Sequence, residues 1–399
     1  MGEGGLPGPR STDTSFAQLR LFQLFTALRE QHEVRLVDAS SDDVRGAIEE
    51  IRPAAILTAG VFGPTRAGLL AVRDEPLCID LPGDPFADAQ MVASFGAAME
   101  VAAEARAVFV PALLRADAFT TISGPSRHAL LGQLGLLGRL ARTPPGEEWA
   151  YVTPVAWEFP GLPEQEPRIG APLRVALVGG FNTWFDGETL LEALLLAMDR
   201  APFHVECVGG QLPGHHLATW SVFAATARTS RHAGRFHFHD RLEPARLSAV
   251  LQRCTVGVVL DRPGYEPELG SRTRLLLYLH QGLDVVATVR CELARELAAE
   301  GWIRSVQQGD VAGVAAAILQ PSCPKDRAPL RDRYSVRATT EGVRAWAAAP
   351  GRRSISGDAD ALLAATRERD ALRTELSELR GSPTFRALDR LRRVTTRGR

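Results

Sequence analysis

The stretch 255–288, TVGVVLDRPGYEPELGSRTRLLLYLHQGLDVVAT, decides the fold. Residues 255–260 are apolar and β-branched almost throughout and end at Asp261, the pattern of a parallel strand covered on both faces. A polar loop from Arg262 to Ser271 follows, and Arg272-Thr273-Arg274 then opens an apolar run whose spacing predicts a helix over 272–280. A second buried strand is expected at 284–288. Strand, loop, helix, strand is the repeating unit of a parallel sheet with helices packed on its faces. Ser271 is a natural N-cap for the helix. Basic side chains in a first turn oppose the helix dipole unless an anion is seated there. Arg272 and Arg274 therefore point to a diphosphate, clamped by guanidinium groups and helix amides. The alternative is that both face solvent or pair with Glu266 and Glu268.

The same alternation extends outward in both directions. Strands are expected at 173–178, 203–208 and 235–238, with helices at 188–199, 244–253, 292–300 and, last, an amphipathic one at 336–348. Two of these strands end in glycines, Gly179-Gly180-Phe181-Asn182 and Val208-Gly209-Gly210. Glycine at a strand's carboxyl end lets backbone amides approach a phosphate, although such a turn also forms without a ligand. Upstream, helices at 15–29, 42–51 and 63–72 alternate with strands at 34–37, 54–57 and 77–80. A long alanine-rich helix from Asp88 precedes a strand at 118–122. Pro160, Pro163, Pro167 and Pro172 mark an interdomain linker. The expected fold class is α/β: two Rossmann-like doubly wound domains facing a cleft, 1–162 and 173–350, joined by a linker at 163–172. Residues 351–399 form a polar spacer, a short coiled coil and a basic helical tail. The chain opens at a glycine-rich turn, Gly2 to Gly8, where a doubly wound domain has a strand beforehand, so a strand encoded upstream is expected.

The run Arg274-Leu275-Leu276-Leu277-Tyr278-Leu279-His280-Gln281-Gly282-Leu283-Asp284-Val285-Val286-Ala287-Thr288 resembles the donor-binding domain of GT-B glycosyltransferases of the family 4 type. The Gly179-Gly180 and Gly209-Gly210 turns and the phrase Phe238-His239-Asp240-Arg241-Leu242 fall in that family's order. The resemblance covers 173–319 in its motifs and the N-terminal half only in its alternation. It implies transfer of a sugar from a nucleoside diphosphate sugar to a glycan or lipid-linked acceptor in cell-surface polysaccharide synthesis, with retained configuration and without metal or cofactor. By this comparison Arg274 is the basic residue on the diphosphate, with Arg272 a second clamp. The donor-binding set is then Gly179, Gly180, Phe181, Asn182, Gly209, Gly210, Glu266, Glu268, Gly270, Ser271 and Thr273. Leu277 departs from the family, which carries a ribose-binding Glu there; Glu266 or Glu268 is the substitute, or catalysis has been lost. Asp84, with Asp80 behind it, is the candidate that touches the transferred sugar or acceptor, and Ser123 is a candidate ligand contact beside it. Helix capping explains Asp84 and Ser123 as well. A non-catalytic GT-B-like partner or scaffold subunit is the rival reading, and a sugar-nucleotide epimerase a weaker one, since no placed acid/base pair is evident.

Composition narrows the remaining classes. A net charge of −1 over 399 residues provides no field for nucleic acid. Five widely spaced cysteines without a CxxC pair argue against a disulfide framework or zinc site. His215-His216, His237 and His239 lack metal-site spacing. With no long apolar stretch and no apolar leader, a cytoplasmic location is expected. The heptad positions Leu362, Ala365, Leu372, Leu376 and Leu379 suit self-association through a coiled coil, with Arg369 interrupting. The arginine-rich segment 380–399 suits peripheral contact with the inner face of the cell membrane, or a solvated tail.

Overall fold

Two parallel sheets account for the chain in this computed structural model, which describes residues 16–39, 44–60, 63–71, 74–92, 98–210, 218–320 and 325–353, with scattered positions between 361 and 382. The first domain runs α1 (Phe16–Arg29), α2 (Val44–Ile51), β1 (Ile56–Ala59), α3 (Gly63–Ala71), β2 (Leu77–Leu81), α4 (Pro85–Met91), α5 (Ala98–Arg115), β3 (Ala118–Thr121), α6 (Gly124–Leu136) and β4 (Ala150–Val152). Its strands lie side by side in chain order. Alternation along β2 separates two cores. Leu77, Ile79 and Leu81 face α5 and α6, whereas Cys78 faces Leu24 of α1.

The second domain runs β5 (Arg174–Gly180), α7 (Gly187–Arg200), β6 (His204–Gly210), α8 (Ala218–Thr229), β7 (Phe236–His239), α9 (Pro244–Leu251), β8 (Val256–Val259), α10 (Tyr265–Leu269), α11 (Thr273–His280), β9 (Asp284–Thr288), α12 (Glu292–Ala299), β10 (Arg304–Val306) and α13 (Val311–Leu319). Its strand order is β10-β9-β8-β5-β6-β7, so the direction of travel reverses between β5 and β8. This reversal is the switch point of a doubly wound sheet, where ligands enter such folds. One face is packed by α7, α8 and α13, the other by α9, α11 and α12. The α/β class with two parallel-sheet domains is the one expected from the sequence.

Three helices follow, α14 (Ala328–Arg333), α15 (Val336–Thr339) and α16 (Glu341–Ala348). The expected boundary at residue 350 assigns them to the second domain, but the last two return to the first. Val343 and Trp346 of α16 pack with Leu24, Cys78 and Ala118, and Gln23 Nε2 donates to Thr339 Oγ1 at 2.9 Å. The outgoing and returning chains are tied where they pass: the Trp157 amide donates to Tyr334 O at 2.7 Å, and the Val336 amide to a Glu158 carboxylate oxygen at 2.9 Å.

Several expected elements change. Residues 34–37 form no strand; Arg35 and Leu36 are exposed, and among the described residues no neighbouring strand completes a ladder. The helix expected from Asp88 is two, α4 and α5, and the one expected over 336–348 breaks at Thr340. The short strands β4 and β10 and the helices α8, α10 and α13 carry patterns too brief or too uniformly apolar to read unaided. The described positions 361, 364, 365, 368, 372, 375, 376 and 379 are helical, with Leu372, Leu376 and Leu379 exposed. The Gly2 to Gly8 turn, His215-His216, the spacer and the basic segment beyond 382 lie outside the described residues.

At the switch point Tyr278 of α11 is fully buried and drives between β5 and β8. A Cβ on Gly257 of β8 would stand 2.2 Å from the Tyr278 ring. The Val178 amide of β5 donates to Tyr278 Oη at 2.8 Å, a bond that a neighbouring strand would otherwise accept. Pairing of β5 with β8 is accordingly confined to Val175 with Val256 and Ala176 with Gly257. Gly257→Ala is expected to displace the ring and to destabilise the protein by about 1–3 kcal/mol, the usual range for an overpacked core, read as a lower urea midpoint at unchanged slope.

Candidate functional site

The crevice at the switch point is floored by the turn after β5. Gly179 has φ +111 and Gly209, at the matching place on β6, φ +102, a region that side chains avoid. A Cβ on Gly209 would also stand 2.6 Å from Gly179 O. The two turns therefore nest, and the Phe181 amide donates to Gly210 O at 3.4 Å. Phe181 itself is turned into the core, against Phe185 and Trp220. Asn182 is half-buried and holds the turn through its carbonyl, which accepts from the Phe185 amide at 3.0 Å.

Arg274 lies one helical turn before Tyr278, so both side chains leave the same face of α11. Its Nη1 donates to Val178 O at 3.4 Å, and its Cδ is 3.4 Å from where a Cβ on Gly179 would be. Among the described residues this carbonyl is the polar partner recorded for the guanidinium, and no carboxylate pairs with it. Its cap is Arg272, with φ −118, and no side chain caps the helix; the expected N-cap, Ser271, lies one residue too early. Half-buried Thr273 is the first helical residue, so its amide and that of Arg274 belong to the turn whose donors have no intrahelical acceptor. A half-buried arginine, an uncapped helix start and two nested glycine turns thus share one strand edge.

Arg272 is a different residue in the structure from the clamp expected. It is buried, its Nε donates to Asp261 Oδ2 at 2.5 Å, and its Nη2 and Nη1 donate to Glu266 at 2.6 and 3.1 Å. The guanidinium also lies 5.3 Å from the Trp184 ring centroid. Burial lowers its pKa, but Asp261 and Glu266 outweigh burial and hold it well above the usual arginine value. With both carboxylates engaged, Arg272 braces the end of β8 to α10 and the start of α11 and has no face left for a phosphate. Glu266 is committed to the same brace, which removes one of the two expected ribose ligands. Glu268 is exposed, Gly270 is buried behind it, and Ser271 is half-buried. Leu277 is in the core shared by α9, α11 and α12, so no carboxylate stands at its position.

Residues of the first domain meet the second beside this brace. Asp84 caps α4, accepting from the Phe86 and Ala87 amides at 2.8 and 3.0 Å and from Gln133 Nε2 at 3.0 Å. Capping is thus its observed role. Asp80 is fully buried, paired with Arg20 Nη2 at 2.8 Å and accepting from Thr120 Oγ1 at 2.5 Å, so it serves the core and not the cleft. Ser123 caps α6 and donates to Leu269 O of the second domain at 2.5 Å. The Gly124 amide donates to Glu292 Oε2 at 2.8 Å, and the Tyr265 amide to Gln90 Oε1 at 2.9 Å. His239 pairs with Glu206 at 2.6 Å and His237 with His204 at 2.9 Å, at the far side of the second sheet from α11.

Sequence reading named Arg274 and the glycine turns, which the structure brings to one strand edge, and did not single out Tyr278, Gly257 or Asp261. Two signals were present: Tyr278 follows Arg274 by four residues, and a lone glycine inside a strand marks a close approach. Asp261 carried no comparable signal, because its partner could not be told from the other arginines. Two hollows open elsewhere, one between Asp84, Phe109 and Gln133, the other where Thr288, Arg290 and Gln308 flank the ends of β9 and β10.

No family model and no curated protein matches the sequence. Solved structures do match. One described as trehalose-6-phosphate from E. coli bound with UDP-2-fluoro glucose superposes with a TM-score of 0.53 at 12% identity, covering 84% of this chain and 86% of that one. An alpha,alpha-trehalose-phosphate synthase (UDP-forming) from Burkholderia vietnamiensis gives 0.51 at 11% identity, covering 86% and 83%. At these identities the likeness shows a shared fold, the two-domain GT-B architecture.

Arg272→Met is expected to leave Asp261 and Glu266 buried without a counter-charge and to cost about 3–5 kcal/mol, measured by denaturant unfolding. Arg274→Met, which breaks no ion pair, is expected to change stability by less than about 1 kcal/mol.

Proposed function

We propose that the protein is a glycosyltransferase that takes its sugar from a nucleoside diphosphate and seats the diphosphate at the start of α11. The observation that carries this reading is Arg274. A half-buried arginine lying over a strand-end glycine, without a carboxylate partner among the described residues, is a cation arranged for an exogenous anion. The helix start adds unpaired amides and the positive end of the dipole. In glycosyl transfer negative charge grows on the leaving diphosphate as the bond to the sugar breaks. A cation and amides fixed beforehand by Tyr278 and the Arg272 brace stabilise that charge without reorganising. The fold shared with a chain bound to UDP-2-fluoro glucose and with a UDP-forming synthase supports a uridine donor as the first to test.

The acceptor side is read from the sequence. A glycan or lipid-linked acceptor, retained configuration, independence of metal and a place in cell-surface polysaccharide synthesis follow from the family 4 resemblance. Cytoplasmic location is carried over from the expectation of the sequence, peripheral contact at the inner membrane face rests on the arginine-rich segment 380–399, and self-association on the heptad leucines. In a liposome flotation assay with anionic lipid, removal of 381–399 is expected to abolish co-flotation; unchanged flotation rejects the membrane contact.

A second reading has one observation in its favour. Leu277 fills, as a core residue, the position at which the family 4 type carries a ribose-binding Glu, which suits a partner or scaffold subunit with reduced donor affinity. Calorimetric titration with UDP, GDP, TDP and ADP, followed by assay of product, separates the two. Binding of one diphosphate with sugar transfer supports the enzyme; no binding to any of them supports the scaffold. For the enzyme, Arg274→Ala is expected to lower turnover by about 100-fold, the scale of losing one transition-state donor, and unchanged turnover assigns that role elsewhere.

A further inference from the structure

The first turn of α6 comprises residues 124–127, and the first domain accounts for its amides with one exception. The Arg127 amide donates to Ser123 O at 3.0 Å and the Ser126 amide to Ser123 Oγ at 3.1 Å. Pro125 has no N–H to offer. The Gly124 amide is left over, and it donates to Glu292 Oε2 of the second domain at 2.8 Å. Glu292 is the first residue of α12, and among the described residues this amide is the hydrogen-bond partner recorded for its carboxylate. The starts of α6 and α12 thus meet at a single carboxylate. Each start carries the positive end of a helix dipole, so the two repel unless an anion lies between them.

The contact is close as well as charged: a Cβ on Gly124 would stand 2.8 Å from Glu292 Oε1. The neighbouring interdomain hydrogen bonds are weaker ties. Ser123 Oγ serves its own helix while it donates to Leu269 O at 2.5 Å. Tyr265 and Gln90 are both exposed, so water replaces either partner at little cost. A hydrogen bond to an ionised group is about twice as strong as a neutral one. We propose that Glu292 is the latch between the domains, holding them together on this side of the crevice by neutralising two helix starts at once. When the latch releases, the bond from Ser123 to Leu269 goes with it, and the loop that leads into α11 loses its hold on the first domain.

Two variants break the contact from opposite domains. Glu292→Ala removes the carboxylate, whereas Gly124→Ala keeps it and displaces it with a methyl group, at a helical position that alanine otherwise suits. The reporter is hydrogen exchange at the Tyr265 amide, whose partner across the same interface is Gln90. In each variant this exchange is expected to quicken about tenfold, the scale of losing one charge-assisted hydrogen bond. The radius of gyration of the full chain in small-angle scattering is expected to rise, while exchange at the Val178 amide, inside the second domain, holds. Because both substitutions act on one contact, the double variant is expected to exchange no faster than either single one. Unchanged exchange at Tyr265 in either variant, effects that add in the double variant, or a quickening that spreads to Val178 overturns the proposal. Since no nucleotide takes part, each of these results leaves the diphosphate reading where it stood.

Discussion

The wedge formed by Tyr278 against Gly257 is the constraint on which the rest of the second domain depends. A parallel sheet gains from continuous pairing, and β5 and β8 have the composition to pair along their whole length. The ring prevents this by occupying the space beyond Gly257, and its hydroxyl accepts the Val178 amide that would be orphaned by the split. The sheet opens at the one place where its order reverses. Because Tyr278 and Arg274 are four residues apart, the side chain that opens the crevice also fixes the helix face from which Arg274 leans over it. Shape and charge at the strand edge are thus set by a single helix.

The first domain contributes differently. Its two charged residues at the end of β2 serve structure, Asp80 in a buried pair with Arg20 and Asp84 in a cap. What it offers the cleft is a contact surface, made by α4 and the start of α6, that meets α10 and α12. The Arg272 brace lies directly behind this surface. Interdomain contact and the rigidity of the α10–α11 connection are therefore parts of one structure, and a change in either reaches the loop that leads into the diphosphate candidate.

Much of the second domain was legible because its elements repeat one pattern: an apolar strand, a glycine or polar turn, and a helix of clear period. Strand β9 falls at the expected residues, and β5 through β8 within two residues at either end. Arg274 stood out as a candidate because an arginine in a helix's first turn contradicts the dipole. Arg272 breaks the same local rule but is explained by Asp261 and Glu266, partners six and eleven residues away whose geometry depends on the loop between them. Sequence spacing cannot distinguish an arginine awaiting an anion from one already neutralised. The same limit applies to Asp84, since a cap and a cleft carboxylate look alike until the helix start is located. Residues 336–348 were legible as helical, but an amphipathic face does not state which sheet it will cover.

That last ambiguity bears on how the chain is made. One face of the first sheet, with Cys78 and Ala118, is sealed by α1 together with Val343 and Trp346. These two come from the far end of the sequence, so the ribosome releases them only after the whole second domain has emerged. Until then the nascent first domain carries a strip of uncovered apolar surface, the kind of exposure that invites chaperone binding or aggregation. The long sequence separation of this closure also makes it a slow step, since a loop of that length must be closed before the contact is rewarded. Maturation of the amino-terminal half is thereby placed last in biosynthesis, although it is translated first.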